Sequence, residues 1–203
     1  MRLFSKLTIL VALASPAMFA CASEAPTTEG SSDEDFTAAA STYPSDLVTA
    51  LKKANRTALL PTSTVAYVYR PGAMDAVILN QKYNDGSAPG SSELAAARDT
   101  LKTRGLKIVG KTAPFRDCEF TASGDYLAPV SKPTFLSKTM TALNSAIGDT
   151  IYSAQDLAAA KAIEETITYK LVLTKERMAV YLGKKNGKWT ILGLDLAEFS
   201  CDA

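Results

Sequence analysis

The aspartate that ends the last hydrophobic run of the chain is the best candidate for acid–base chemistry. Strict alternation along this run predicts that Asp195 lies on the same strand face as Trp189 and Ile191. A carboxyl group among apolar neighbours has a raised pKa and can act as an acid or a base, with a tyrosine such as Tyr169 or Tyr181 beside it. The alternative is a strand end where the Asp195 side chain reaches water.

The 203-residue chain contains no histidine, and this absence removes several classes of chemistry. Ser-His-Asp and Cys-His catalysis are impossible, the commonest zinc and iron ligand is missing, and no Cys-x-x-Cys spacing offers a zinc site. Carboxylate, tyrosine and lysine chemistry remains, such as a carboxylate pair that cleaves sugars, but no pair stands out by its spacing. We therefore assign no catalytic, cofactor-binding or metal-binding residue from the sequence, which favours a protein that is not an enzyme.

The segment from Gly105 to Thr112 has the residue types and spacing of a P-loop, a nucleotide-binding motif, but not the flanking elements of one. In a P-loop a strand leads into a glycine-rich loop that cradles phosphates, and a helix follows. Here a predicted helix precedes the pattern, the four middle residues are strand formers, and the residues after Thr112 look extended. We interpret the segment as a helix end at Gly105, a short strand and a turn.

The three cysteines are Cys21, Cys118 and Cys201. Cys21 lies in an N-terminal targeting segment, so Cys118 and Cys201 are left as an even pair. In an exported protein such a pair favours a disulfide. A bridge across about 83 residues would stabilise the fold by roughly 4–5 kcal/mol in the chain-entropy model. The alternative is two buried thiols.

The first 22 residues predict export from the cytosol. Arg2 and Lys6 give a positive start, an apolar core runs from Leu7 to Ala14, and Ala20-Cys21-Ala22 fits a signal-peptidase site. Cleavage there would make Ser23 the first residue of a periplasmic or secreted protein.

The same segment resembles the signal of bacterial lipoproteins, with Met18-Phe19-Ala20-Cys21 in the place of the lipobox. In that family Leu, a small residue and Gly or Ala precede the cysteine that is lipidated; here Met and Phe occupy the first two positions. The resemblance implies a lipid on Cys21 and a place in the bacterial cell envelope. Lipidation and removal of Cys21 both remain open, and a lipid is the only membrane contact expected.

Residues 23–42 form an acidic tether, and residues 43–203 form a single globular domain. The tether holds five acidic residues and no Lys or Arg, a composition that buries too little apolar area to fold. The whole chain carries a net charge of +1 without clustered bases, so nothing predicts nucleic-acid binding. The expected partner is an unidentified protein, envelope component or small ligand.

Hydrophobic periodicity and capping residues predict the elements of the domain. Helices are predicted for Ser45–Leu59, Ser92–Thr103 and Thr134–Ile147, and from a capping box at Ser153–Asp156 to Glu165. Strands are predicted for Thr64–Tyr69, Ala76–Asn80, Leu106–Val109 and Phe115–Thr121.

A three-strand meander is predicted for Thr166–Leu173, Met178–Lys185 and Lys188–Leu196. Asn186-Gly187 between the last two strands predicts a type I′ hairpin turn. Regular pairing from this turn places Leu182 opposite Ile191 and Val180 opposite Gly193, and places Leu194 on the face away from Trp189. In the first strand, Ile167 is expected to share a face with Tyr169, Leu171 and Leu173. Both hairpin faces are apolar, so cover on both sides is expected.

The predicted fold class is α+β, with helices packed on a mostly antiparallel curved sheet that ends in this meander. The helix-first order and the final Gly187-Lys-Trp-Thr-Ile resemble NTF2-like or cystatin-like domains. That resemblance implies a pocket between sheet and helices. Two hypotheses follow: a non-catalytic exported binding domain, or a small hydrolase or isomerase that uses Asp195 and a tyrosine.

Overall fold

The computed structural model of the protein describes residues 42–52, 56–60, 64–81 and 89–201. The predictions for the leader, for Cys21 and for nearly all of the acidic tether fall outside these residues. No helix within the described ranges combines the length and the apolar character that a membrane crossing requires.

Five helices and nine strands make up the described part of the chain. The helices are α1 (Ser45–Leu51), α2 (Arg56–Leu59), α3 (Ser91–Thr103), α4 (Phe135–Ile147) and α5 (Ala154–Glu164). The strands are β1 (Val65–Tyr69), β2 (Ala76–Gln81), β3 (Ile108–Gly110), β4 (Phe115–Arg116), β5 (Glu119–Phe120), β6 (Asp125–Pro129), β7 (Ile167–Leu173), β8 (Met178–Lys185) and β9 (Lys188–Asp195).

Seven of the strands form one mixed sheet in the order β2-β1-β9-β8-β7-β6-β3. The β1–β9 and β3–β6 pairs are parallel, and the other neighbours in this sheet are antiparallel. Strands β4 and β5 pair separately as a short hairpin. The predicted α+β class and the C-terminal meander β7–β9 are thus confirmed, and the last strand of the chain lies in the interior of the sheet.

Helices cover both faces of the sheet, as the two apolar faces of the hairpin predicted. Helices α1, α2 and α3 bury their leucines against the face that carries Trp189 and Ile191. Helices α4 and α5 pack on the opposite face, where Met140 and Ala160 are fully buried. The aromatic side chains of the β4–β5 hairpin extend this second layer.

Local sequence signals fix several element ends. Asn186 and Gly187 both have positive φ, 52° and 76°, as the predicted turn requires. The Ser153 hydroxyl accepts a hydrogen bond from the Asp156 amide, and the Asp156 carboxylate accepts one from the Ser153 amide, so the predicted capping box is present. Gly148 ends α4 in the left-handed conformation.

Two β-bulges change the predicted pairing of the meander. Leu182 pairs with Ile191 as expected, but Gly193 pairs with Tyr181 rather than Val180, so Leu192 is an extra residue in β9. An extra residue reverses the alternation of side chains beyond it. Leu194 therefore joins Trp189 in one core, and the prediction that Asp195 shares their face is wrong.

The second bulge lies at the start of β7. Ile167 pairs with Gly183 while Tyr169 pairs with Leu182, which leaves Thr168 as the extra residue. Ile167 consequently packs in the core of the α4–α5 side, and Tyr169 packs on the other side. The prediction of a single shared face is wrong for Ile167. Gly183 allows this bulge, because a Cβ there would lie 2.3 Å from the Thr166 carbonyl oxygen.

The predicted helix Ser45–Leu59 is interrupted. Helix α1 ends at Leu51, and Lys52 has an extended backbone with ψ of 143°. After the interruption Leu59 is buried and Ala58 is exposed, whereas an unbroken helix would place Ala58 on the face that carries Leu47 and Leu51. Burying the larger side chain removes more apolar surface from water, which favours the broken geometry.

One strand prediction is wrong, and one strand was missed. Phe115–Thr121 is a hairpin rather than one strand, because Asp117 and Cys118 adopt positive φ values of 49° and 67° and reverse the chain. Strand β6 was not predicted, since Asp and Pro at its ends disfavour strands. Pairing of β6 with β7 over five residue pairs overrides that local preference.

A disulfide joins the tip of the β4–β5 hairpin to the C-terminal tail. The Cα atoms of Cys118 and Cys201 are 5.7 Å apart. Beside the bridge, the rings of Phe115, Phe120 and Phe199 form a cluster with centroid distances of 4.8–5.1 Å. The sulfur bridge and the aromatic cluster together hold the tail against the hairpin.

A buried ionic cluster lies between α2, α3 and β6. The Asp125 carboxylate is fully buried and accepts hydrogen bonds from Arg104 Nη1 at 2.8 Å and from the Lys107 amide at 2.6 Å. Arg56 is 3% exposed, and its guanidinium nitrogens have no hydrogen-bond partner among the described residues. Burial lowers the pKa of Arg56, because the charged form is poorly solvated there.

The two arginines of this cluster should respond in opposite ways to the same substitution. Arg104→Met leaves Asp125 buried without its ion-pair partner and with only the Lys107 amide as a donor, so the unfolding free energy should fall by about 3–5 kcal/mol. Arg56→Met removes a buried charge that lacks hydrogen bonds, so the unfolding free energy should rise by about 1–2 kcal/mol. Urea denaturation of both variants measures the difference, and a loss in Arg56→Met as large as in Arg104→Met would contradict this account.

Candidate functional site

A cleft of about 610 Å³ opens on the α4–α5 side of the sheet. Helix α4 forms one wall, the turn after β1 forms the opposite wall, and the end of β9 forms the floor. Its apolar lining comes mainly from Met74, Phe135, Ala142, Leu143 and Ala146. Its polar lining consists of Arg70, Asp75, Thr134, Lys138, Thr139, Tyr181, Asp195 and Glu198.

Asp195, the sequence candidate, lies in this cleft and is 7% exposed. Its Oδ1 atom accepts hydrogen bonds from the amides of Ala197 at 3.0 Å and Glu198 at 2.7 Å. The side chain thus closes a local turn that ends β9. Its Oδ2 atom accepts no hydrogen bond from any residue that the structure describes, which leaves this oxygen available to a molecule in the cleft.

Burial raises the pKa of Asp195 to about 6, because the ionised form loses solvation. The negative charge of Glu198 also raises this pKa, while the two amides and the Lys170 charge lower it. The Asp195 carboxyl therefore changes charge within the neutral range, where a general acid or base works best.

Tyr181 is the tyrosine that accompanies Asp195. Its ring stacks on Phe135 at a centroid distance of 3.9 Å and an interplanar angle of 11°. Its hydroxyl donates a 3.3 Å hydrogen bond to Glu198 Oε2. Burial, followed by the charges of Glu198 and Asp195, raises the Tyr181 pKa far above its ordinary value. Tyr181 is therefore a neutral hydrogen-bond donor at any physiological pH.

Tyr169, the other tyrosine suggested by the sequence, lies on the opposite side of the sheet. Its ring packs edge-on against Trp189 at 5.6 Å and Tyr43 at 6.3 Å. The reversal of alternation at Leu192 separates Asp195 from this group. Tyr169 therefore belongs to the α1–α3 core rather than to the cleft.

Glu198 is the site residue that the sequence did not single out. Its Oε1 atom forms an ion pair with Lys170 Nζ, and Lys170 also lies 5.6 Å from the Tyr181 ring centroid. The sequence signal for Glu198 was the Asp-x-x-Glu spacing at the end of β9. Because Asp195 closes a turn there, the carboxyl groups of Asp195 and Glu198 are neighbours. Their environments differ, since Glu198 has a cation beside it and Asp195 is mainly buried.

A buried carboxylate from α5 holds the start of α4, the helix that forms one wall of the cleft. Glu164, at the end of α5, accepts hydrogen bonds from the amides of Leu136 at 2.7 Å and Ser137 at 2.9 Å, and from the Ser137 hydroxyl at 2.7 Å. An anion at a helix N-terminus satisfies free amides and the helix dipole. These bonds fix Phe135 over Tyr181.

Gly193 permits the close approach of α4 to the floor of the cleft. A Cβ atom at this position would lie 2.4 Å from the Phe135 ring. Any larger residue would push Phe135 away from Tyr181, so the glycine maintains the stacked pair.

The other motif singled out by the sequence does not form a phosphate site. Gly105–Thr112 contains the short strand β3, Ile108–Gly110, and leads to strand β4 rather than to a helix. The disulfide pair Cys118 and Cys201 lies outside the cleft lining. Across residues 42–52, 56–60, 64–81 and 89–201, no group of three or more acidic or cysteine side chains is arranged to hold a metal ion.

Comparisons with models of known protein families, with curated proteins and with solved structures gave no significant match.

Asp195→Asn should stabilise the protein at high pH. The pKa of Asp195 is raised in the folded state, so this residue favours folding below about pH 4 and opposes it above about pH 6. Its contribution to the unfolding free energy should thus fall as pH rises across that interval, by up to about 3 kcal/mol. Asparagine keeps the acceptor for the two amides but carries no charge, so the variant should not show this loss.

Urea unfolding of wild type and Asp195→Asn across this interval measures the difference. Asp156→Asn is the matched control, because the pKa of Asp156 is lowered by its bonds to Ser153 and its effect has the opposite sign. A wild-type advantage over Asp195→Asn that grows with pH would contradict the burial of Asp195.

Proposed function

We propose that the protein is an exported, non-catalytic binding domain that holds a small, partly apolar molecule in the cleft between α4 and the sheet. The observation that carries the proposal is the position of Asp195, a buried carboxyl with an available oxygen, at the floor of an otherwise largely apolar cleft. Ligand sites commonly combine an apolar lining with a few such polar groups.

The dimensions of the cleft support a small ligand. Its volume of about 610 Å³ falls within the range of roughly 300–1,000 Å³ that small-molecule sites occupy. Leu143 and Phe135 give an apolar wall, and Met74 at the rim is 49% exposed. A molecule seated there would cover this apolar surface and reach Asp195.

Export is supported by the leader-like first 22 residues and by the bridged cysteines. A disulfide between Cys118 and Cys201 persists in an oxidising compartment. Lipid attachment at Cys21 would anchor the domain through the acidic tether. Removal of Cys21 with the leader would release the domain into the periplasm or the medium.

A bulky side chain in the cleft should block binding. Ala142→Trp adds an indole to the α4 wall, whereas Thr141→Trp, the matched control, adds the same indole at an exposed neighbouring position outside the lining. In a ligand-observed NMR screen of amphipathic fragments, we expect binding to wild type and to Thr141→Trp and its loss in Ala142→Trp. Fragment binding that Ala142→Trp leaves unchanged, or no binding to wild type, would refute the proposal.

A second candidate function is acid–base catalysis, as a small hydrolase or isomerase. It is favoured by the Asp195 pKa of about 6 beside the neutral Tyr181 hydroxyl. The same NMR samples followed over time distinguish the two functions. Conversion of a bound fragment by wild type but not by Asp195→Asn supports the enzyme, and binding without conversion supports the binding domain.

Intact-mass spectrometry of the protein from its native host tests export. We expect a chain without the leader, carrying either acyl chains on Cys21 or a first residue at Ser23. Reduction should add the mass of two hydrogens, from the Cys118–Cys201 bridge. A chain that retains Met1, or that has two titratable thiols before reduction, would rule out this part of the proposal.

A further inference from the structure

We propose that the occupant of the cleft is an amphipathic cation: a primary amine on an apolar body, with its ammonium group at Asp195. This inference rests on the function proposed above and names the chemical class of the ligand. It follows from the charges that line the cleft and from which of them already have a partner.

Two of the charged pairs at the cleft are internally compensated. Arg70 Nε lies 2.6 Å from Asp75 Oδ1 in an ion pair at the turn after β1. Glu198 is paired with Lys170 behind the floor. Because each pair is neutral overall, these four groups exert little net attraction or repulsion on a charged ligand. They can still form hydrogen bonds at the edges of a bound molecule.

Asp195 and Lys138 are the two remaining charges of the lining, and they differ in solvation. Lys138 is an exposed residue of α4, so water solvates its ammonium group although it lines the cleft. Asp195 is 7% exposed and has two backbone amides but no ion-pair partner within the described part of the chain. The floor is therefore a buried carboxylate without a direct ion-pair partner, and only the more distant Lys170 charge acts on it.

The hydrogen bonds that Asp195 already accepts also determine which ligand group can bind it. Oδ1 is occupied by the Ala197 and Glu198 amides, and Oδ2 is the acceptor left for a ligand. An ammonium group would supply both the donor and the compensating charge. A hydroxyl would supply only the donor, and a carboxylate would be repelled by Asp195.

The remainder of the cleft fits an apolar body. Ala142, Leu143 and Ala146 present small or aliphatic side chains along one side of α4, and Met74 faces the same space from the opposite wall. An alkyl or aryl group lying along α4 would remove this surface from water. The ligand would thus be apolar along its length and positively charged at its buried end.

Binding of a cation should depend on pH. Other charged or titratable groups around Asp195 are Glu198 after β9, Lys170 on β7, Tyr181 on β8, Lys138 on α4 and the Arg70–Asp75 pair. Because an ammonium group binds the ionised carboxyl, affinity should fall as pH decreases below about 6. A neutral ligand of the same shape gains nothing from that ionisation.

Isothermal titration with hexylamine, hexanol and hexanoate tests the inference on the purified exported protein. At about one pH unit above the Asp195 midpoint, we expect hexylamine to bind at least about tenfold more tightly than hexanol, and hexanoate to bind most weakly. At about one unit below that midpoint, hexylamine should lose about tenfold in affinity and hexanol should not change. Asp195→Asn should abolish both the preference and its pH dependence.

The outcomes separate this inference from the proposed function. Equal binding of all three probes, blocked by Ala142→Trp, would overturn the cationic ligand and leave the cleft as a binding site. No probe binding, or binding that Ala142→Trp does not affect, would overturn both. If Asp195→Asn were unstable, the pH dependence of hexylamine binding to wild type would decide alone, and its absence would overturn the inference.

Discussion

The bulge at Leu192 determines which side of the sheet carries Asp195. Without this extra residue, regular alternation would direct Asp195 into the leucine-rich core beneath α1–α3, where a carboxylate would have no solvent and no partner. With it, Asp195 faces the α4 side, where the chain beyond β9 supplies two amide donors and a cleft supplies space. The strand keeps Leu194 in the apolar core and places a polar group at the site.

The chain beyond β9 is held by several interactions that act on the same few residues. Phe199 packs in the aromatic cluster, Cys201 is bridged to Cys118, and Arg177 donates hydrogen bonds to the carbonyl groups of both Cys118 and Phe199. These contacts maintain the turn whose amides bind Asp195. Oxidative pairing of cysteines far apart in the chain therefore stabilises the geometry of the cleft, although neither sulfur lines it.

Much of the fold was predictable because its signals are local. The Asn186-Gly187 turn, the helix end at Gly148 and the meander follow from turn chemistry and periodicity. The faces of β7 and β9 were not predictable, because a bulge leaves no strong mark in composition and reverses every side chain beyond it. Asp195 was found for its residue type, whereas Glu198 and the choice of Tyr181 over Tyr169 depend on tertiary structure.

The central claim is that Asp195 is a buried carboxyl at the floor of a cleft, and its own titration tests this most directly. Carboxyl-carbon NMR of isotopically labelled protein, with the resonance assigned through its loss in Asp195→Asn, gives the midpoint. The account predicts a midpoint near pH 6. A midpoint near 4, the ordinary value of a solvated aspartate, would contradict it.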